Sequence, residues 1–204
     1  IKLCIDNGEN KSSLKYKKHK VEHHLTHIAS AYYLSEFQDT TAAFSYDGSG
    51  DGVSIMLAEC KETKIKVIEK VFLPKSLGHF YSAVCNYIGF KDFGEEYKVM
   101  GLSAYGEDKY SDYFEELIGY DEKLIIRQKN IYDFNSIDYS NKNNVIKFNN
   151  KIFSNKKVEK FSKESKDIAK SLQLTFEKIV MQIIERLQKK VPSNNLVMAG
   201  GLQP

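Results

Sequence analysis

The sequence predicts an α/β fold of the kind that forms one lobe of an ATPase-type protein. Three observations support this prediction. Residues 41–73 contain three apolar, partly alternating segments separated by turn residues, which is typical of a β-meander. Residues 165–190 carry the apolar stripe of a long helix, and residues 196–199 follow it as a short buried strand. The order meander, helix, insertion, helix, strand suits a sheet covered by helices.

The elements before the insertion follow from local signals. Residues 21–33 lack glycine and proline and predict a helix. Strands are expected at 42–46, 53–58 and 65–72, with a glycine-rich turn at 47–52, because glycine permits positive φ. Ser76 is a suitable N-cap for a helix over 76–89, which Gly89 would end.

The second half of the chain is less regular until its last helix. Residues 94–106 are punctuated by glycine, and a helix is expected within 107–120. Residues 121–160 are rich in Asn and Lys, and we interpret them as short strands and loops. The insertion as a whole is expected at about 107–164. In the helix at 165–190 the apolar residues recur every three or four positions, and Pro192 ends it.

Composition excludes some classes of protein. The chain has 204 residues, 42% of them apolar, and a formal net charge of +3. Arg127 and Arg186 are its only arginines, which argues against base reading in a nucleic acid. No apolar run approaches the roughly 20 residues of a membrane span. The three widely spaced cysteines are expected to be free thiols of a cytoplasmic protein.

A histidine cluster at 23–27 is the first candidate site. His23 and His27 are four residues apart and share a helix face, whereas His24 points elsewhere. Two imidazoles and a carboxylate supplied from another element suit zinc or Fe(II). The alternative is a solvated polar face of the helix.

Three glycine-containing segments are further candidates. Backbone N–H groups around Gly48 and Gly50 could hold a phosphate, with Asp47 beside a cation, although an ordinary hairpin turn would look the same. Gly200 and Gly201 follow a buried strand and would let a backbone approach a nucleotide, or form a simple left-handed turn. In the segment 94–102, Glu96 and Lys98 could face a charged ligand, or the segment could simply begin a helix.

Together these segments resemble a known family. The runs SLGHFYSA at 76–83, EYKVMGLSAYG at 96–106 and VMAGG at 197–201 are similar to the O-carbamoyltransferases of nodulation-factor and antibiotic biosynthesis, as are the histidine cluster and DGSG at 47–50. The similarity covers about 21–106 and 165–202, and EYKVMGL is its most specific part. Residues 107–164 add nothing to it.

The resemblance implies an actin-like (ribonuclease H-like) two-lobed fold and a reaction. In that family a separate YrdC-like domain makes carbamoyl-adenylate from carbamoyl phosphate and ATP, and the actin-like domain transfers the carbamoyl group to a hydroxyl of a small acceptor. Fe(II) or another divalent metal orients the adenylate. The implied metal ligands are His23, His27 and Asp47. The glycines implied to line the nucleotide are Gly48, Gly50, Gly200 and Gly201. Glu96 and Lys98 are implied to face the site.

The same resemblance implies that this chain is part of a longer protein. Residues 1–40 would end a first lobe with the metal-binding helix, and 41–204 would form most of a second lobe. The remaining N- and C-terminal parts are expected outside the chain, so we expect it to be inactive alone. Two other functions remain open: transfer of threonylcarbamoyl to tRNA, and a non-catalytic nucleotide-binding regulatory module. Oligomeric state and acceptor do not follow from the sequence.

Overall fold

A computed structural model of the chain describes residues 19–92, 94–120, 126–128 and 158–201, the three at 126–128 by their backbone alone. Five helices and six strands lie in these ranges, and the predictions made for most of 121–160 lie outside them. In chain order the elements are α1 (His23–Tyr33), β1 (Thr41–Gly50), β2 (Val53–Lys61), β3 (Lys64–Phe72), α2 (Leu77–Tyr87), α3 (Glu96–Ser103), α4 (Ser111–Leu117), β4 (Ile118–Tyr120), β5 (Ile126–Gln128), α5 (Lys163–Lys190) and β6 (Leu196–Ala199).

A four-stranded mixed sheet carries the fold, in the order β3-β2-β1-β6. The meander is antiparallel, whereas β6 lies parallel to β1, with Phe44 opposite both Leu57 and Met198. The predicted α/β class, the three-stranded meander and the strand at 196–199 are therefore confirmed. A separate antiparallel pair, β4–β5, was not predicted as such.

The structure of the glycine-rich segment 47–52 differs from its prediction. We expected a turn over 47–52, but β1 continues to Gly50, with an irregular register between Tyr46 and Gly50. The turn itself is only Asp51 and Gly52, with φ of 51° and 80°. Two consecutive positive φ values match the right-handed twist of a hairpin, and Asp and Gly tolerate them. The irregular register leaves Asp47 within a strand, at the point where bulges commonly redirect side chains.

Helices cover both faces of the sheet. On one face α2 and α5 bury Phe44, Tyr46 and Leu57, and α3 and α4 contribute to the same core. On the other face α1 packs Ile28 and Tyr32 against a smaller core formed by β1, β2 and β6. Because both faces of the sheet are covered, residues 41–46 of β1 and 53–58 of β2 are all buried, without the alternation of a half-exposed sheet. The division of 1–40 and 41–204 between two lobes stays a prediction.

The two capped helices begin where sequence signals indicated. The Ser76 side chain accepts the N–H of His79 at the start of α2, and Ser162 accepts that of Ser165 at the start of α5. Lys189 and Lys190 occupy the last turn of α5, where positive charge favours the helix dipole. Both ends of the predicted helix 165–190 are thus confirmed to within two residues.

Three smaller findings complete the fold. The glycine-punctuated segment 94–106 contains the two-turn helix α3, and the helix expected within 107–120 is shortened to α4 because β4 follows at Ile118. Cys60 and Cys85 are buried free thiols. Of the described helices, none combines the length and the apolar character that a membrane crossing requires.

Candidate metal centre

Helix α1 presents two histidines toward the end of β1. His23 and His27 are one turn apart, and their rings meet edge to face with centroids 4.6 Å apart. Their Nε2 atoms are 3.0 Å apart. About a third of each side chain is exposed. The i, i+4 spacing therefore does bring the two imidazoles together.

His24 anchors the same helix to the sheet. It is fully buried, with Nε2 2.9 Å from the carbonyl oxygen of Val53 and Nδ1 2.8 Å from Oγ of Ser45. A carbonyl only accepts, so Nε2 carries the hydrogen and Nδ1 accepts from the Ser45 hydroxyl. Burial lowers the pKa of His24 and keeps the ring neutral. Its contacts to β1 and β2 fix the rotation of α1 about its axis.

Asp47 supplies a carboxylate to the histidine pair. Its Oδ2 lies 3.1 Å from Nε2 of His23 and 3.5 Å from Nε2 of His27. Its Oδ1 accepts the N–H of Gly48 at 2.7 Å. Burial acts to raise the pKa of Asp47, but the hydrogen bonds from His23 and Gly48 outweigh it and lower the pKa, so the group is a carboxylate.

The three ligand atoms have the spacing that a metal ion requires. Each pair is separated by 3.0–3.5 Å, and these are the only side chains of the described residues that form such a group. With metal–ligand distances of about 2.0–2.2 Å, neighbouring ligands of a tetrahedral or octahedral ion lie about 3.0–3.5 Å apart. Two imidazoles and one carboxylate are typical of Fe(II) and zinc sites with open positions. The residues present therefore fit a divalent ion.

The predicted glycines lie around this group. A Cβ at Gly50 would stand 2.0 Å from the His23 ring, and one at Gly201 would stand 3.0 Å from Oδ1 of Asp47. Gly200 has φ of 128°, and a Cβ there would meet the carbonyl oxygen of Tyr46 at 1.9 Å. Only glycine fits at positions 50 and 200 without displacement of a neighbour.

Gly48 is less crowded. A Cβ at Gly48 would lie 3.4 Å from the ring of His79, which is an ordinary contact. The carbonyl oxygen of Gly48 accepts a hydrogen bond from Oγ of Ser76. This bond ties the start of α2 to β1.

The glycine pair and Asp47 share one edge of the sheet. Ser45 on β1 is in register with Ala199, the last residue of β6, and beyond this pair Gly201 lies against the Asp47 side chain. In α/β sheets, ligands bind beyond the carboxyl ends of parallel strands. The histidine pair therefore lies where such a ligand is expected.

A cavity of about 520 Å³ opens on the other face of the sheet, beside α3 and α5. Its volume is that of a small-molecule site. Glu96 lies at this cavity and accepts from Oγ of Ser82 at 2.6 Å. Apolar and aromatic side chains dominate the lining, which includes Tyr46, Tyr81, Met100, Phe176, Met198 and Gly201.

Lys98 does not line this cavity. Its Nζ lies 2.8 Å from Oε1 of Glu95, which is 6% exposed and is also bound by Lys160 at 3.1 Å. The hydrogen bond from Lys98 lowers the pKa of Glu95 to about 2, and the same bond raises the pKa of Lys98. Lys98 is therefore a cation held by a carboxylate, and any role in catalysis stays a prediction.

Comparison with known proteins identifies the family. The sequence profile described as "Carbamoyltransferase N-terminus" matches residues 2–203. The chain belongs to this carbamoyltransferase family. The resemblance inferred from the EYKVMGL and VMAGG segments is thereby confirmed.

Relatives of the carbamoyltransferase chain are considerably longer. An uncharacterized protein of Synechocystis is 31% identical over 188 residues, covering 89% of this chain and 29% of the relative. Nodulation protein NolO of Bradyrhizobium diazoefficiens is 30% identical over 183 residues (89% and 31%), and nodulation protein NolNO of Sinorhizobium fredii is 28% identical over 187 residues (89% and 25%). The chain thus spans less than a third of the length of these three relatives.

Three residues at the site were not singled out from the sequence. Asp51 accepts the N–H of His23 at 3.0 Å, Glu95 binds the two lysines, and His79 lies against Gly48. Asp51 and Glu95 each belong to a segment that was singled out, and His79 lies in the SLGHFYSA run. Except for Lys98, which is three residues from Glu95, their partners are 28 to 65 residues away in the chain, which no local pattern could indicate.

Proposed function

We propose that this chain is part of an O-carbamoyltransferase, which transfers a carbamoyl group from carbamoyl-adenylate to a hydroxyl of a small-molecule acceptor. Carbamoyl-adenylate would be made from carbamoyl phosphate and ATP elsewhere in the protein. The observation that carries the proposal is the convergence of His23, His27 and Asp47 at the carboxyl ends of β1 and β6, beside Gly200 and Gly201.

The metal centre would act on the donor. His23 and His27 would bind a divalent metal, Fe(II) or zinc, through Nε2, and Asp47 would bind it through Oδ2. The bound metal would supply Lewis acidity at the carbamoyl carbonyl. Asp47 is ionised and both histidines present Nε2 to the same point, so a metal would replace the hydrogen that Nε2 of His23 donates to Asp47.

The nucleotide would lie along the glycines, as in an actin-like fold. Of Gly48, Gly50, Gly200 and Gly201, the last two would receive the phosphate oxygens on their backbone N–H groups. The N–H of Gly48 is already donated to Asp47, and the His23 ring fills the space beside Gly50. The apolar cavity has the volume and character to accept the nucleoside, with Glu96 as a polar group at its wall. Lys98 is a fixed cation rather than a proton acceptor, because its pKa is raised.

The proposed transfer is a simple acyl substitution. The acceptor oxygen forms a bond to the carbamoyl carbon, and the bond from that carbon to the phosphate oxygen breaks. The electron pair leaves with AMP, and the hydroxyl proton passes to a base. Holding donor and acceptor together with water excluded supplies much of the rate.

The test uses the full-length protein with carbamoyl phosphate, ATP, Fe(II) or zinc and a panel of alcohols. Mass spectrometry of the products should detect a carbamate ester, together with AMP. His23→Ala and His27→Ala should abolish the product, while His19→Ala, which alters an exposed histidine outside the site, should not. Product formation by His23→Ala at the normal rate would refute the proposal.

Two added measurements separate the alternatives. Threonylcarbamoyl transfer to tRNA would appear as modified tRNA when tRNA replaces the alcohols. A regulatory module would bind nucleotide without bound metal and without any carbamoylated product.

Because Cys60 and Cys85 are free thiols, we place the reaction in the reducing cytoplasm.

A further inference from the structure

The start of α1 lacks a capping side chain of its own. Its N-cap, Glu22, makes no side-chain bond to the helix, and no acidic residue lies in the first turn. The first amide of the helix belongs to His23, a proposed metal ligand. Uncapped helix starts leave such amides without a protein partner.

Asp51 supplies the missing cap from the sheet. Its Oδ2 accepts the N–H of His23 at 3.0 Å across 28 residues of sequence. A carboxylate at this end of a helix also interacts favourably with the helix dipole. The bond therefore joins the backbone of His23 to the β1–β2 turn.

The same hairpin carries the other half of the metal centre. Asp47, whose Oδ2 is 3.1 Å from Nε2 of His23, lies four residues before Asp51 on β1. Gly50, next to Asp51, lies against the His23 ring, which a Cβ at this position would meet at 2.0 Å. His23 is thus held to this one hairpin at its main chain by Asp51 and at its ring by Asp47.

We propose that Asp51 is a positioning residue of the metal centre. By fixing the first turn of α1 against the hairpin, its carboxylate sets the separation between Nε2 of His23 and Oδ2 of Asp47. Asp51 is not among the side chains that would hold the metal, which are His23, His27 and Asp47. The inference rests on the proposed function, because it requires that this centre binds a metal.

The backbone at Asp51 allows a clean set of variants. Its φ is 51°, a left-handed value that Gly and Asn adopt readily. Asp51→Gly removes the carboxylate without straining the turn, and Asp51→Asn removes the charge but keeps an oxygen that can accept the same bond. Glu62→Gly is the matched control, because Glu62 has a similar φ of 53° in the β2–β3 turn. This substitution removes the same negative charge at a turn away from the metal centre.

The experiment measures binding of Co(II) and zinc to the full-length protein by calorimetry, with the visible spectrum of Co(II) reporting ligand geometry. Outer-sphere partners of metal ligands typically contribute about 10–100-fold to affinity, and we expect about tenfold weaker binding and an altered spectrum for Asp51→Gly. Asp51→Asn should restore the spectrum and most of the affinity, and Glu62→Gly should match the wild type. In metal-free protein, amide hydrogen exchange at His23 should be faster in Asp51→Gly than in the wild type. Asp51→Asn and Glu62→Gly should not show this increase.

The outcomes distinguish the two proposals. Absence of metal binding by the wild-type protein would refute the proposed function before any variant is compared. If the wild type binds metal and Asp51→Gly binds it equally well, the positioning role is wrong. If Asp51→Asn is as weak as Asp51→Gly, the effect is one of charge, and the role proposed for the hydrogen bond is also wrong.

Discussion

Substitution of Gly50 by alanine should disable the metal centre without unfolding the sheet. A Cβ at this position would stand 2.0 Å from Cδ2, 2.3 Å from Cγ and 2.7 Å from Nε2 of His23. Ordinary carbon contacts are about 3.5 Å or longer, so the ring would have to move by about 1.5 Å. Gly50 has no positive φ, so alanine suits the backbone itself.

The displacement is large compared with what metal ligation tolerates. Metal–ligand distances in proteins vary by only about 0.2 Å, and the shift required of the His23 ring is several times larger. Disturbing outer-sphere partners alone costs about 10–100-fold in affinity, so displacing a ligand should cost about 100-fold or more. Overpacking should lower the free energy of unfolding by about 1–3 kcal/mol.

Calorimetric titration of the full-length protein with zinc tests this prediction, and chemical denaturation measures the accompanying loss of stability. Gly101→Ala is the control, since a Cβ there, within α3, would meet nothing within 4 Å. It should leave metal affinity unchanged and stabilise the helix by about 0.5–1 kcal/mol. Wild-type zinc affinity in Gly50→Ala would refute the assignment of His23 as a ligand.

Three further predictions concern stability, measured by chemical denaturation. His24→Ala should lower the free energy of unfolding by about 2–4 kcal/mol, because it leaves a cavity and strands the buried partners of both ring nitrogens. Gly106→Ala should cost at least about 1–3 kcal/mol, since its Cβ would meet a backbone carbonyl of α5 at 2.0 Å. Burial acts to raise the pKa of Glu69, but hydrogen bonds from Arg186 and a neighbouring lysine outweigh it and keep the pKa below its ordinary 4.5. Glu69→Gln should therefore cost about 1–2 kcal/mol at neutral pH and progressively less as the pH falls below that value; a constant difference down to pH 2 would contradict this.

Regular, amphipathic elements were predictable because one physical signal defines each of them. The stripe of α5, including Ile168 and Leu187, and the Ser76 cap of α2 are local patterns that the structure repeats almost residue for residue. Helix α3 was predicted only as the alternative for the segment 94–102, because it is eight residues long and buries just Val99, Leu102 and Ser103. Two turns give too few apolar positions to establish a period.

The glycine-rich segment shows why composition misleads at a strand end. Three glycines in 47–52 indicated a turn, yet Gly48 and Gly50 lie in β1, and at Gly50 the demand for a small residue comes from a contact and not from φ. Gly50 is required by the His23 ring, which packs from a helix 27 residues earlier in the chain. Helical spacing could predict that His23 and His27 share a face, but only the sheet register brings Asp47 to that face.

The two halves of the proposed site meet because adjacent residues of β1 face opposite sides of the sheet. Tyr46 belongs to the core under α5 and lines the cavity, whereas Asp47 reaches the histidines of α1. A donor that contacts both must pass the strand ends, and Gly201 lies at that crossing: it lines the cavity and abuts Oδ1 of Asp47. A nucleoside in the cavity and a carbonyl at the metal centre would thus be joined over Gly201, where a side chain would block the path.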